Sequence, residues 1–152
     1  MCGIAGMVGS VDPRVVRGMT RVLAHRGPDG EGWVCPKDEP FGFGHRRLAI
    51  LDLTPAGAQP MWDAGGRYCI TYNGEVYNFR EIRHELEAKG HQFHSTSDTE
   101  VVLAAYSQWG AACLDRLNGM FALAIWDCAE RTLFAARDRL GIKPFYWAEH
   151  PG

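Results

Sequence analysis

The pattern of apolar and polar residues predicts strands at both ends of the chain with helices between them. Short apolar stretches typical of strands occupy residues 2–8, 31–35, 41–53, 68–72, 120–127 and 132–137. Helix starts are indicated where an N-cap residue is followed by Pro or Glu, at Asp12, Asn78 and Ser97. The predicted buried stripe of the first helix is Val15, Val16, Met19, Val22 and Leu23.

The order of these elements favours an α+β fold with antiparallel sheets. Strands come first, two helices follow later and strands return at the end, whereas a parallel sheet needs regular alternation of strands and helices. The nucleotide-binding motifs GxGxxG and GxxxxGK(S/T) do not occur in the sequence. The length of 152 residues fits one domain.

Composition and charge narrow the functional classes. Hydrophobic residues make up 46% of the chain and the formal net charge is −2, with no run of Lys or Arg that would attract nucleic acid or a membrane surface. The longest strongly apolar stretch, residues 120–126, is far shorter than a membrane span, and no signal-peptide pattern is present. We therefore expect a cytoplasmic protein that binds neither nucleic acid nor membrane.

The cysteines and histidines do not form a recognisable metal site. The 5 cysteines are odd in number, and none belongs to a CxxC pair, which argues against a disulfide framework or a thiolate site. His91 and His94 are close in sequence but lack an acidic or Cys partner at metal-site spacing. We predict that no metal is bound.

Cys2 is a candidate nucleophile because of its position. A small second residue usually permits removal of the initiator Met, which would place the Cys2 thiol beside a free α-amino group. An amine of that basicity can act as general base for the thiol, directly or through a water. By position alone, a small residue in a buried strand explains Cys2 equally well.

Asn73-Gly74 follows a predicted strand and has two interpretations. An Asn-Gly pair is a strong turn signal, since both residues tolerate positive φ. Alternatively, the Asn73 side-chain amide and the Gly74 backbone N–H form an oxyanion hole. Removal of one such donor typically lowers the turnover rate by about 10²- to 10³-fold.

Arg47 lies in a segment whose alternation separates two faces. Phe41, Phe43, His45 and Arg47 share one face, and Gly42, Gly44, Arg46 and Leu48 share the other. If the Phe face is buried, Arg47 points inward and needs an anionic partner. That partner is either an Asp or Glu of the fold or the carboxylate of a ligand.

Asp98 lies in the first turn of a predicted helix, where the helix dipole favours an acid. Its alternative role is to bind an ammonium group. Taken together, the candidates describe one substrate: a carboxylate for Arg47, an ammonium for Asp98, and a carbonyl between the thiol and the oxyanion hole. An α-amino acid with a side-chain amide fits this description.

The sequence closely resembles the glutaminase domain of class II, N-terminal-nucleophile glutamine amidotransferases, and within them the glutamine-dependent asparagine synthetases. The matching stretches are Met1-Cys-Gly-Ile-Ala-Gly6, His25-Arg-Gly-Pro-Asp29, Arg47-Leu-Ala-Ile-Leu-Asp52, Tyr72-Asn-Gly-Glu-Val-Tyr-Asn78, Ser97-Asp-Thr-Glu100, Gly119-Met-Phe-Ala122 and Ala136-Arg-Asp-Arg-Leu-Gly-Ile-Lys-Pro144. They run through almost the whole chain.

This resemblance implies a four-layer αββα sandwich of antiparallel sheets. It implies that Cys2 forms a γ-glutamyl thioester and that Asn73 and Gly74 form the oxyanion hole. It further implies that Arg47 holds the glutamine carboxylate, with Glu75 and Asp98 near the amino group. The backbone of Leu48, Ala49, Ile50 and Leu51 would line the same pocket.

The resemblance also sets the domain boundaries. Residues 1–152 would be one glutaminase domain, incomplete at its C-terminus and without the synthetase domain. The glutaminase step would need no cofactor, since ATP and Mg²⁺ belong to the synthetase domain. The expected partners are L-glutamine, a C-terminal synthetase domain in cis or in trans, and, as an open question, a second copy in a homodimer.

Two other functions remain open at this stage. The chain could bind glutamine or dock to a synthetase partner with little turnover. It could also be an N-terminal-nucleophile amidohydrolase that cleaves a different amide.

Overall fold

Two antiparallel sheets face each other in a computed structural model of the chain, which describes residues 1–149. The first sheet has the strand order β1-β3-β2 and consists of β1 (Gly3–Val8), β2 (Gly30–Val34) and β3 (Phe41–Arg47). The second has the order β4-β5-β6-β7 and consists of β4 (Met61–Trp62), β5 (Tyr68–Val76), β6 (Gly119–Asp127) and β7 (Thr132–Arg137).

Helices cover the outer faces of both sheets. Helix α1 (Pro13–Val22) packs on the first sheet, while α3 (Asp98–Trp109) packs on β5 of the second sheet and against α2 (Phe79–Ala88). The layers therefore run helix, sheet, sheet, helix, which confirms the predicted α+β fold and αββα sandwich. Within residues 1–149, every helix is too short or too polar to traverse a lipid bilayer.

Separate apolar clusters hold the layers together. Between the sheets, Phe41 and Phe43 pack with Cys69, Ala124 and Trp126, and the Phe41 and Trp126 rings stack with centroids 5.2 Å apart. The larger cluster fills the space between the second sheet and its helices; its fully buried members include Ile70, Leu86, Val101, Val102, Leu103, Leu123 and Ile125. Burial of these side chains is the main favourable contribution to folding.

Helix α1 begins as predicted but buries a narrower face. The Asp12 carboxylate accepts a hydrogen bond from the Arg14 N–H at 2.8 Å, as an N-cap should. However, Val15 is 45% exposed and Val22 is 75% exposed, so the predicted stripe is wrong at both. The helix approaches β3 so closely that a Cβ on Gly44 would lie 1.8 Å from Thr20 Oγ1. Such close contact leaves one row of side chains buried, with Val16 and Thr20 at its centre.

The predicted strand at residues 41–53 is also too long. β3 ends at Arg47, and the chain then leaves the sheet because side chains bind its backbone. Asp29 Oδ2 accepts from the Ala49 N–H at 2.9 Å, and Asp52 Oδ1 accepts from the Thr54 N–H at 2.8 Å. Such local caps compete with a strand ladder.

Candidate active site

One cavity of about 130 Å³ collects almost all the predicted site residues. It is lined by Cys2, Arg47, Leu48, Ile50, Leu51, Asn73, Gly74, Glu75 and Asp98, together with residues that the sequence did not indicate. Ala49 is not part of this lining, because the bond to Asp29 holds its backbone elsewhere. Cavities for drug-sized ligands are typically about 300–1,000 Å³, so this one suits a molecule the size of an amino acid.

The Cys2 thiol lies just before β1 and faces the loop that follows β3. The Leu48 N–H donates to Cys2 Sγ with an N···S distance of 3.3 Å. The thiol can in turn donate to the Leu48 carbonyl oxygen, 3.7 Å from Sγ. Arg26 Nε also donates to the Cys2 carbonyl oxygen at 3.4 Å. Sequence reasoning missed this role of Arg26, although it is part of the matching His25–Asp29 stretch.

Asn73 and Gly74 lie inside a long strand, so the turn interpretation is wrong. Asn73 pairs with Ala122 and Gly74 with Phe121 in the ladder between β5 and β6. β5 continues to Val76, past the predicted end at Tyr72. An extended pairing with β6 has overridden the local preference of Asn-Gly for a turn.

Beyond the short strand β4, the edge of β5 that faces away from β6 presents the N–H groups of Tyr72, Gly74 and Val76. The Tyr72 N–H donates to Gln59 Oε1 at 2.7 Å, and the Val76 N–H donates to Asp98 Oδ2 at 3.0 Å. Because N–H directions repeat every second residue along a strand, the Gly74 N–H points to the same edge. It therefore faces the cavity, between two groups that side chains already satisfy.

The partner strand supports this orientation. Phe121, opposite Gly74, directs its N–H away from β5 to Asp138 Oδ2 at 3.2 Å. The Gly74–Phe121 pair is therefore a non-hydrogen-bonded pair of the ladder. The strands are also close here, since a Cβ on Gly74 would lie 2.5 Å from the Met120 carbonyl oxygen. Only glycine fits this position.

The Asn73 side chain points toward the first sheet. Thr71, two residues earlier and thus on the same face of β5, donates from Oγ1 to the Gly44 carbonyl oxygen at 3.2 Å. Asn73 is buried and lines the cavity.

Arg47 points inward and Arg46 outward, which confirms the predicted faces of β3. Arg46 pairs with Glu31 at 2.6 Å on the outer side. Arg47 Nη1 donates to the Thr54 carbonyl oxygen at 2.9 Å and Nη2 donates to that of Asp52. Within residues 1–149, Arg47 forms no ion pair with an Asp or Glu. The expected carboxylate partner from the fold is absent there, which leaves a ligand carboxylate as the candidate.

Asp52 fastens the loop that carries these carbonyls. Its carboxylate accepts from the Thr54 hydroxyl at 2.6 Å and, 44 residues away, from the Thr96 N–H at 2.9 Å. These hydrogen bonds, with that of the Thr54 hydroxyl the largest, hold the pKa of Asp52 well below its usual range. Sequence reasoning missed Asp52 as a structural anchor, although the matching Arg47–Asp52 stretch ends on it.

Asp98 is the first residue of α3 but is not a simple surface acid at a helix terminus. It is only 5% exposed, and its Oδ2 accepts from Tyr72 Oη at 2.7 Å as well as from the Val76 N–H. Burial raises the pKa of Asp98, although the bond from Tyr72 opposes this shift. Neither bond uses Oδ1, and the residue lines the cavity.

Metal ligands do not cluster in the described part of the chain. Among residues 1–149, no group of three or more His, Cys, Asp or Glu side chains could hold a metal ion. His91 instead bonds through Nε2 to Gln108 Oε1 at 3.0 Å. That the protein needs no metal stays a prediction.

We expect buried His45 to destabilise the protein in mild acid. Burial lowers the pKa of His45 from 6.5 to about 4, while Nε2 lies 3.1 Å from the Tyr72 carbonyl oxygen. Between these two pH values the unfolded chain binds more protons than the folded chain. The contribution of neutral His45 to the free energy of unfolding is therefore complete above pH 6.5 and is lost as the pH falls toward 4. The loss is roughly 3 kcal/mol.

Urea unfolding at several pH values between 7 and 4 tests this expectation. His45→Gln keeps an N–H donor for the Tyr72 carbonyl but does not titrate. The difference in unfolding free energy between the wild type and this variant should change steadily across that pH range. If both proteins lose stability in parallel, His45 is not the responsible group.

Comparison with known proteins identifies the class. The sequence model of the family described as "Glutamine amidotransferase domain" matches residues 1–152. The chain belongs to this family.

Individual relatives are more specific. The chain is 47% identical over 161 residues to glutamine-hydrolyzing asparagine synthetase 3 of Bacillus subtilis, a match that covers 98% of this chain and 25% of the relative. It is 40% identical over 152 residues to glutamine-hydrolyzing asparagine synthetase 3 of Arabidopsis thaliana, covering 96% of this chain and 25% of the relative. The chain thus spans about a quarter of the length of these curated relatives.

A solved structure supports the fold. The glutamine phosphoribosylpyrophosphate amidotransferase from Bacillus subtilis superimposes with a TM-score of 0.78 at 21% identity, covering 95% of this chain and 38% of that chain. At this identity the likeness shows the fold alone.

Proposed function

We propose that this chain hydrolyses L-glutamine to glutamate and ammonia through a thioester on Cys2. The observation that carries the proposal is that four groups line one small cavity: the thiol of Cys2, the strand-edge N–H of Gly74, the guanidinium of Arg47 and the buried carboxylate of Asp98. The sequence similarity to glutamine-hydrolyzing asparagine synthetases supports glutamine as the substrate.

Substrate binding follows from the charges around the cavity. Arg47 would hold the glutamine carboxylate, because its planar guanidinium can donate two parallel hydrogen bonds. Asp98, with Glu75 beside it, would bind the ammonium group. The cavity walls at Leu48, Ile50 and Leu51 would hold the side chain extended toward Cys2. Ala49 would contribute only through its position in this loop.

The chemistry begins once Met1 has been removed. The free α-amino group takes the proton of the Cys2 thiol, and the sulfur attacks the side-chain carbonyl carbon. The Asn73 amide and the Gly74 N–H then stabilise the oxyanion. When this intermediate collapses, the α-ammonium group returns its proton to the amide nitrogen, the C–N bond breaks, and ammonia leaves. Water attacks the thioester by the same route and releases glutamate.

In the full-length protein, we propose that the ammonia reaches a synthetase domain, in cis or in trans, which makes asparagine from an adenylated acid, β-aspartyl-AMP. ATP and Mg²⁺ would act in that domain and not in the glutaminase step. The names and lengths of the relatives support this assignment. Residues 1–152 would then belong to the glutaminase domain of a cytoplasmic enzyme. A homodimer stays a prediction that sedimentation analysis can test.

The direct test is ammonia release from glutamine by protein with a native N-terminus. Mass spectrometry first establishes that Met1 is absent, and a coupled assay then compares glutamine with asparagine and with an acylated amine. We expect turnover with glutamine alone. Calorimetric binding of glutamine without turnover would instead support the binding-module function. Preference for another amide would support a different amidohydrolase.

A further inference from the structure

Lys143 is a buried lysine in the wall of the Cys2 cavity. Its exposed fraction is only 4%, and its Nζ lies 3.0 Å from the Met1 thioether sulfur. Lysine is almost never fully buried unless it is paired. The proposed reaction above gives Lys143 no role, so its burial in the wall of the cavity that Cys2 also lines needs another explanation.

The backbone of Lys143 is fixed to the strand that faces Gly74. The Lys143 N–H donates to Asp138 Oδ2 at 2.9 Å, and the Asp138 N–H donates to the Phe121 carbonyl oxygen at 2.7 Å. Burial would raise the pKa of Asp138, but the backbone N–H groups, first that of Lys143, outweigh this effect and lower it. The lysine is thus held in place by a charged carboxylate that binds its backbone and not its side chain.

The Lys143 side chain has no anionic partner in the described part of the chain. None of the ion pairs within residues 1–149 includes it, and the contact of its Nζ is with a thioether, a weak acceptor. Met1 is the residue that must be removed to free the proposed base. Without Met1, Nζ would lose this sulfur contact and would remain in the wall of the cavity that Cys2 also lines.

Building on the proposed function, we propose that Lys143 is a positioning residue whose positive charge acts on the mature N-terminus. It disfavours the protonated α-ammonium form by like-charge repulsion and favours the Cys2 thiolate by attraction. Both effects raise the fraction of nucleophile that is ready to react near neutral pH. Lys143 itself takes no part in bond making or proton transfer.

Other charged or titratable groups contact Cys2 or line the same cavity. Arg26 contacts the Cys2 carbonyl from the segment after α1, and the remaining groups that line the cavity are Arg47, Asp52, Tyr72, Glu75 and Asp98. The carboxylates Glu75 and Asp98 would stabilise an α-ammonium group. The positive charge of Lys143 would counteract this stabilisation, which provides a physical reason for its burial.

The test measures how fast Cys2 reacts with iodoacetamide from pH 5 to pH 9, read from the mass of the N-terminal peptide. Lys143→Met keeps the volume and removes the charge. We expect the midpoint of its alkylation profile to lie about 1 pH unit higher than in the wild type, with roughly 5- to 10-fold slower reaction at pH 7. The acid limb of kcat/KM for glutamine should move in the same direction. Lys143→Arg keeps the positive charge and should show the wild-type form of both pH profiles.

Controls separate this role from a structural one. Lys89→Met removes an exposed lysine after α2 and should leave the profile unchanged. If thermal unfolding shows that Lys143→Met does not fold, Lys143→Gln supplies the uncharged variant. An unchanged alkylation profile in a folded, uncharged variant overturns the proposal. A Lys143-dependent profile without ammonia release by the wild type would contradict only the proposed function.

Discussion

Cys2→Ala should abolish ammonia release from glutamine, with a loss of at least about 10³-fold, because removal of a catalytic nucleophile leaves only binding and the oxyanion hole. No other cysteine is placed to substitute for it, since Cys2 alone of the cysteines lines the cavity. Burial also raises the pKa of Cys113 to about 11 and that of Cys69 further still, so these thiols stay protonated. Initial rates with saturating glutamine provide the measurement.

The matched control is Cys35→Ala, a half-buried cysteine outside the Cys2 cavity. It should retain ordinary turnover, and both variants should show nearly the wild-type thermal midpoint. Glutamine binding measured by calorimetry should survive in Cys2→Ala, because Arg47 and Asp98 are intact. Residual turnover above a tenth of the wild-type rate would rule out Cys2 as the nucleophile.

An uncleaved N-terminal extension tests the other half of the mechanism. It leaves every side chain in place but converts the α-amino group of Cys2 into an amide, which cannot accept a proton at neutral pH. Such a protein should be as inactive as Cys2→Ala, and proteolytic exposure of Cys2 should restore activity. Full activity in the extended protein would contradict an N-terminal base.

Arg47→Lys should raise KM for glutamine by about 10²-fold with a smaller change in kcat. Lysine presents a point charge in place of a planar fork and cannot repeat the two bonds to the carboxylate. It also cannot bind both the Thr54 and the Asp52 carbonyl groups as Arg47 does. Steady-state kinetics across a wide range of glutamine concentrations separates the two parameters.

The neighbouring Arg46→Lys is the control for this substitution. Arg46 lies on the opposite face of β3, where it contacts Glu31 and the Gly27 carbonyl. Its replacement should change KM by less than about 3-fold, as expected for a partly exposed ion pair. A silent Arg47→Lys together with a damaging Arg46→Lys would contradict the assigned strand faces.

Local patterns predicted the residues of the cavity better than they predicted the shape of its backbone. The period of two in β3 was enough to place Arg47 inside and Arg46 outside. The same local reasoning left Asn73-Gly74 ambiguous, because turn preference is a property of the pair alone. The strand conformation comes instead from pairing with β6, which lies almost fifty positions further along the chain. Non-local pairing of this kind is not encoded in a short window.

The supporting residues were not predictable for a related reason. Asp52 binds Thr96 across 44 residues, Gln59 satisfies the Tyr72 N–H, and Lys143 reaches Met1 from the other end of the chain. None of these residues has an unusual local pattern. Their roles depend on which loops the two sheets bring together, and that arrangement became visible only in three dimensions.

The hydrogen bonds of the Asp52 carboxylate have a consequence for selectivity. One of its oxygens holds the loop whose carbonyls orient Arg47, and the other holds Thr96, two residues before Asp98. In the proposed function, Arg47 binds the acidic end of the substrate and Asp98 its basic end, so a single carboxylate would set the spacing between these two groups. We therefore expect the cavity to prefer ligands whose amine and acid are separated by one carbon over ligands with a longer separation.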